Sequence, residues 1–149
     1  MEQKVIERIK NLNNKIKKEL VNINFENINE AKKTIKNYSQ LQIVFYLIKH
    51  RDDVVYQKDI GDAVHLKKSS ITEHLDYLES IDVIKRIDDR DDSRKKRIIL
   101  SQKAKEVETS FMQTISDLNT KILEGISEDE LEVFMNVVDK IEKNIGDKK

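Results

Sequence analysis

The sequence predicts a mainly α-helical protein with one small β-hairpin, on three observations. The 149 residues contain no proline and only three glycines, so few positions forbid a helix. Apolar residues recur every three or four positions through most of the chain. Residues 83–100 depart from that period: two short β-type runs, Val83 to Ile87 and Arg97 to Leu100, flank the polar stretch Asp88 to Arg94. The expected order is four or five helices, the hairpin, then two helices.

Each element follows from local pattern. Val5, Ile9, Leu12, Ile16 and Leu20 form a narrow seam along a first long helix. The asparagine-rich stretch 22–29 ends it, because asparagine favours caps and turns, and a shorter helix is expected over 29–36. Ser39 with Gln42 reads as a capping box for Leu41 to Ile48, a segment apolar on nearly every side that belongs in the core. After a turn at Arg51 to Asp53, Tyr56 to Val64 reads as a short helix with Ile60, Ala63 and Val64 pointing inward. A helix starting at Ser69 or Ser70 carries Ile71, Leu75 and Leu78 on one side.

Beyond the hairpin, Val107, Phe111, Ile115, Leu118 and Ile122 make a second long seam, ended where Gly125 can supply a left-handed cap. Ser127 and Glu130 form a capping box opening a last helix lined by Leu131, Phe134, Val138, Ile141 and Ile145. The terminal seams must be buried against something. Packing within the monomer is one solution. Pairing with the same helices of a second copy suits such long stripes better, so a homodimer is expected.

Composition removes several classes of function. With 28 basic and 28 acidic residues the formal net charge is zero, which argues against indiscriminate polyanion binding. No cysteine means no disulfide, no thiolate metal site and no thiol switch. The longest uncharged run, Asn37 to Ile48, is 12 residues, against the roughly 20 of a membrane span. The chain is charged from Glu2 onward, so no signal peptide is expected. A soluble, cytoplasmic protein without a membrane partner is the expectation. His50, His65 and His74 have no metal-ligand spacing, and no nucleophile motif or phosphate-cradling glycine loop is visible. Neither catalytic residues nor a metal or cofactor are expected.

Charge is unevenly distributed. Residues 1–38 hold nine basic and five acidic groups, residues 39–101 twelve of each, and residues 102–149 seven and eleven. Within Lys85 to Arg97, seven basic residues face four acidic ones. Residues 56–81 have the shape of a helix-turn-helix, turning through His65 to Lys67, with Gly61 where the helices come closest. The second helix presents Lys67, Lys68, Ser69, Ser70, Thr72, Glu73, His74 and Tyr77 away from its apolar side. Most of these are donors of a length suited to phosphates and base edges.

The adjacent hairpin sharpens that reading. Ser70 to Glu79, then Ile84 to Ile87, then Asp92-Ser-Arg-Lys-Lys-Arg-Ile-Ile-Leu-Ser101 resemble the recognition helix and two wing strands of the multiple-antibiotic-resistance regulator (MarR) family. The family pattern in the last piece is Asp-Arg-Arg, three variable residues, an aliphatic, one residue, then Leu-Thr. This chain matches it at Asp92, Arg94, Ile98 and Leu100, with Ser101 in the Thr position as a helix N-cap. The first Arg of the pair is Ser93 here, which leaves either Arg90 or Arg94 as the minor-groove probe.

The resemblance implies a winged helix-turn-helix over 39–101, flanked by dimerisation helices over 1–38 and 102–149. It implies a homodimer that reads a pseudo-palindromic operator in double-stranded DNA, each recognition helix in a major groove and each wing at a minor groove. The DNA-binding candidates are Lys67, Lys68, Ser69, Ser70, Thr72, His74, Tyr77, Arg90, Arg94 and Lys96; Asp92 with Arg94 is expected to organise the wing. It further implies repression relieved by a small aromatic or phenolic ligand near Ile16, Leu20, Tyr38, Phe45, Phe111 and Met112. A protein-interaction module using the winged helix as a docking surface is the competing reading, favoured only by the zero net charge.

Overall fold

The computed structural model describes residues 1–23 and 35–146, and among them six helices and one two-stranded sheet. In chain order these are α1 (Glu2–Val21), α2 (Tyr38–Lys49), α3 (Gln57–Val64), α4 (Lys68–Ser80), β1 (Ile84–Asp88), β2 (Lys96–Leu100), α5 (Gln102–Ile122) and α6 (Glu128–Ile145). The mainly helical class with one hairpin is therefore observed. The helix expected over 29–36 lies mostly outside the described residues; 35 and 36 are not helical. By contacts the chain divides into two compact units, residues 1–115 and 116–149.

In the first unit, α2, α3 and α4 pack around one core with the hairpin as its lid. Leu41, Ile43, Ile60, Leu75, Leu78 and Ile84 are fully sealed from solvent, and each such side chain contributes roughly 1.5–3 kcal/mol on burial. The hairpin is antiparallel, with Ile84 opposite Leu100 and Asp88 opposite Lys96. The Ile98 N–H donates to the Val55 carbonyl at 2.8 Å, and Tyr56 bridges to Arg97, so residues 55–56 add a short third edge to β2. Ser101 fastens β2 to α5. Its hydroxyl donates to the Asp82 carbonyl (2.6 Å) and accepts from the Ala104 N–H (3.0 Å), the N-cap role expected of it.

Several local expectations are corrected. The cap of α2 is Asn37, not Ser39: the Asn37 side chain accepts from the Gln40 N–H at 3.0 Å, and Gln40 Oε1 accepts from the Lys36 N–H at 2.8 Å. The same four-residue spacing occurs two positions earlier, and it takes the role because Gln40 is buried there. Helix α4 begins at Lys68, ahead of the expected Ser69 or Ser70. Ala63 is exposed, because α3 is so short that Ile60 alone occupies its fully buried position. A Cβ on Gly61 would lie 3.5 Å from Ile71 Cγ1 and from the Leu66 carbonyl, ordinary contact, so glycine is not required for the helix approach.

In the second unit, Gly125 adopts φ +78° between α5 and α6, as a left-handed cap requires. Ser127 and Glu130 form the reciprocal capping box, with side chain and backbone bonds of 2.9 and 3.3 Å. On α6, Leu131, Val138 and Ile141 are partly covered, while Val133, Phe134, Met135, Val137 and Ile145 stand exposed.

Candidate nucleic-acid interface

The turn of the helix-turn-helix is made by His65 in the left-handed region (φ 54°), after which the Leu66 N–H returns to the Gly61 carbonyl at 3.1 Å. Helix α4 then starts from Lys67, a side chain that cannot accept a hydrogen bond, so its first-turn N–H groups have no side-chain cap. Lys67, Lys68 and Ser69 are exposed, and Ser70, Thr72, His74 and Tyr77 partly so. The Thr72 hydroxyl is already engaged: it donates to the Lys68 carbonyl (2.9 Å) and accepts from Gln57 Nε2 on α3 (2.7 Å). Lys36 Nζ lies 4.4 Å from the Tyr77 ring centroid. Glu73 is exposed and makes no ion pair with Lys68 among the described residues.

The wing is ordered by its aspartates. Asp92 Oδ1 accepts from the Arg94 N–H (3.0 Å) and from Arg94 Nε (3.1 Å), while Oδ2 accepts from Nη2 (3.3 Å). These bonds, the side-chain one foremost, hold the Asp92 carboxyl below its ordinary pKa. Asp89 accepts the Tyr56 hydroxyl proton and, at 2.8 Å, the Asp91 N–H, which likewise depresses its pKa. The same bond raises the Tyr56 pKa, keeping the phenol a donor. Lys96 pairs with Asp88. Arg90, exposed at the tip, has no ion pair among the described residues.

Between α3, α4 and the wing lies a cleft of about 710 Å³. Lys58, Lys68, Arg86, Arg94, Lys95 and Lys96 line it, with Asp59 and Asp62 as the opposing charges. The structure thus brings Lys68, Thr72, Arg94 and Lys96 to one concave, mainly basic surface. Three contributors were missed from sequence. Arg86 on β1 reaches α4, Tyr56 secures Asp89, and Gln57 secures Thr72. Their partners lie 7 to 33 residues away, beyond any local pattern.

The residues singled out for a small ligand lie elsewhere in the first unit. Phe45 and Phe111 stack with ring centroids 5.6 Å apart and planes at 25°. Leu20 and Tyr38 pack against the same core, Ile16 is half-buried and Met112 is exposed. None of the six lines the basic cleft. His50 Nδ1 lies 2.7 Å from Asp53 Oδ2, and no group of three potential metal ligands converges among the described residues. No described helix is long and apolar enough to cross a membrane.

The sequence model of the MarR family matches residues 36–96, the span that holds α2, α3, α4, β1 and the hairpin tip up to the start of β2. Among solved structures, the transcriptional regulator PA3341 is 25% identical, covering 72% of this chain and 77% of its own, with TM-score 0.57. The heme sensor protein PefR from Streptococcus agalactiae, in complex with heme, is 24% identical over 93% and 92%, with TM-score 0.65. MepR of S. aureus in a DNA complex is 20% identical over 93% and 95%, with TM-score 0.72. Residues 36–96 match the MarR family model, and the described chain has the winged-helix fold of these solved transcription regulators.

Proposed function

We propose that the protein is a homodimeric, sequence-specific DNA-binding transcription regulator of the cytoplasm, a repressor released by a small aromatic or phenolic ligand. The observation that carries this reading is the basic cleft, in which α4 and the wing present Lys68, Arg94, Lys95 and Lys96 together. Helix α4 suits a major groove, with Lys67, Lys68, Ser69, Ser70, His74 and Tyr77 toward phosphates and base edges. The unpaired Arg90 suits a narrow minor groove, while Arg94 and Asp92 hold the wing in shape and Lys96 lies beside the backbone. The MepR–DNA complex, built on the same fold, supports this use of the surface.

The apolar residues left open on α1 (Val5, Ile6, Ile9, Leu12) and on α6 support pairing with a second copy. Residues 1–38 and 102–149 then serve dimerisation, and 39–101 serves DNA. The stacked Phe45 and Phe111, with Leu20 and Tyr38 packed against the same core, support a ligand site to which we also assign Ile16 and Met112. A ligand acts there by preferring one spacing of the two α4 helices over another; the heme complex of PefR is a precedent for small-molecule binding on this fold.

The test is duplex affinity as a function of salt. A surface making about six phosphate contacts loses roughly a thousandfold in affinity between about 50 and 200 mM salt. Arg90→Ala is expected to weaken binding about tenfold. Affinity indifferent to salt, or a partner protein bound where duplex DNA fails to compete, would contradict the proposal.

A further inference from the structure

The helix assigned to the major groove is itself acidic. Within Lys68–Ser80 the single basic residue, Lys68, faces Glu73, Asp76 and Glu79. Carboxylates on such a helix stand within a Debye length, about 10 Å at 0.1 M salt, of any bound phosphate backbone, where like charges repel. The structure supplies a counter-charge from outside the helix. Arg86, on β1, places Nη2 2.7 Å from Asp76 Oδ1 and Nη1 3.2 Å from Glu79 Oε1. The same Nη2 approaches the Thr72 carbonyl at 3.5 Å, and the Arg86 N–H donates to Glu79 Oε2 at 2.9 Å. The Arg86 side chain is 19% exposed, while Asp76 and Glu79 remain 63% and 42% exposed. One guanidinium, largely withdrawn from water and set by its fork geometry, therefore spans two carboxylates on successive turns of α4.

We propose that Arg86 is a positioning residue of the DNA-reading surface, acting through Asp76 and Glu79: it neutralises both carboxylates and so makes an acidic helix compatible with a polyanion. This inference rests on the DNA-binding reading above. It assigns Arg86 no contact with DNA. What Arg86 supplies is the cancellation of two negative charges on the face of α4 next to the wing.

The experiment uses the full-length protein and a duplex enriched from a random pool, with affinity measured by fluorescence anisotropy for wild type, Arg86→Ala, Asp76→Asn/Glu79→Gln, and the triple combination. Far-UV circular dichroism and Tm accompany each variant. Arg86→Ala is expected to weaken binding about tenfold at low salt, less as salt screens the carboxylates. The triple variant is expected to return to within about threefold of wild type, and Asp76→Asn/Glu79→Gln alone to bind as well as wild type or better. Should Arg86→Ala unfold, the double variant still decides, because a loss of tenfold or more there shows that the carboxylates act by geometry or by base contact. A deficit that persists in the triple variant shows that Arg86 itself meets DNA. Either result, or wild-type affinity in Arg86→Ala, overturns this inference alone. Failure of the wild-type chain to enrich any duplex overturns the DNA-binding reading and this inference with it.

Discussion

Helices α4 and α6 carry similar apolar patterns and meet opposite fates. On α4, Ile71, Leu75 and Leu78 are sealed against α2, α3 and the hairpin. On α6, Val133 and Phe134 remain 65% and 54% exposed, and Met135, Val137 and Ile145 are open with them. The first face is satisfied by the chain's own elements. The second is not, and an apolar face of that extent is ordinarily covered by a partner. Stability is thus expected to reside in the winged domain, and assembly in the terminal helices.

The largest expected effect comes from breaking the sealed face. Leu75→Ala removes a fully buried side chain from the centre of the core and is expected to cost about 2–5 kcal/mol, read by chemical denaturation. Phe134→Asp, on the open face, is expected to leave the winged-domain transition within about 0.5 kcal/mol. Sedimentation equilibrium should instead show it shifting a dimer toward monomer by tenfold or more in Kd. Equal destabilisation by both substitutions would erase the contrast between the helices.

A smaller effect sharpens the boundary of the winged domain. Asn37→Ala is expected to cost about 1 kcal/mol in thermal unfolding, because the Gln40 N–H loses its acceptor. Ser39→Ala is expected to change stability by less than about 0.5 kcal/mol. The smallest effect concerns pH. Asp89 and Asp92 are partly exposed and titrate below the ordinary aspartate value, held there first by Tyr56 and by Arg94 respectively. A depressed folded-state pKa adds stability above the unfolded value, and that contribution is lost as pH falls through the folded one. The amide shifts of Asp91 and Arg94 are therefore expected to stay constant from about pH 8 to 5 and to move only below about pH 4. Movement near neutrality would contradict the assigned bonds.

What could be read in the sequence was what is local. The Ser127 capping box, the Gly125 cap, the Ser101 N-cap and the existence of the hairpin each depend on residues within a few positions, while the strand limits fall within one residue of those expected. Locality also explains the near miss at Asn37, since two capping spacings overlap there and only packing of Gln40 separates them. The Asp92–Arg94 pairing spans only two residues. The Arg86 bridge joins a strand to a helix, and Tyr56 reaches Asp89 33 residues away; neither leaves a periodic trace. Ala63 shows the converse, an apolar residue at helical spacing left in water because α3 is too short to bury a whole stripe.

Sequence-specific DNA binding by a dimer is tested most directly by selecting bound duplexes from a random pool with the full chain. A dimeric regulator is expected to enrich an inverted repeat whose half-sites lie one helical turn apart, about 34–36 Å, protected by two copies of the chain and lost at high salt. A pool that emerges without a shared sequence, or with a single half-site bound by one copy, would contradict it.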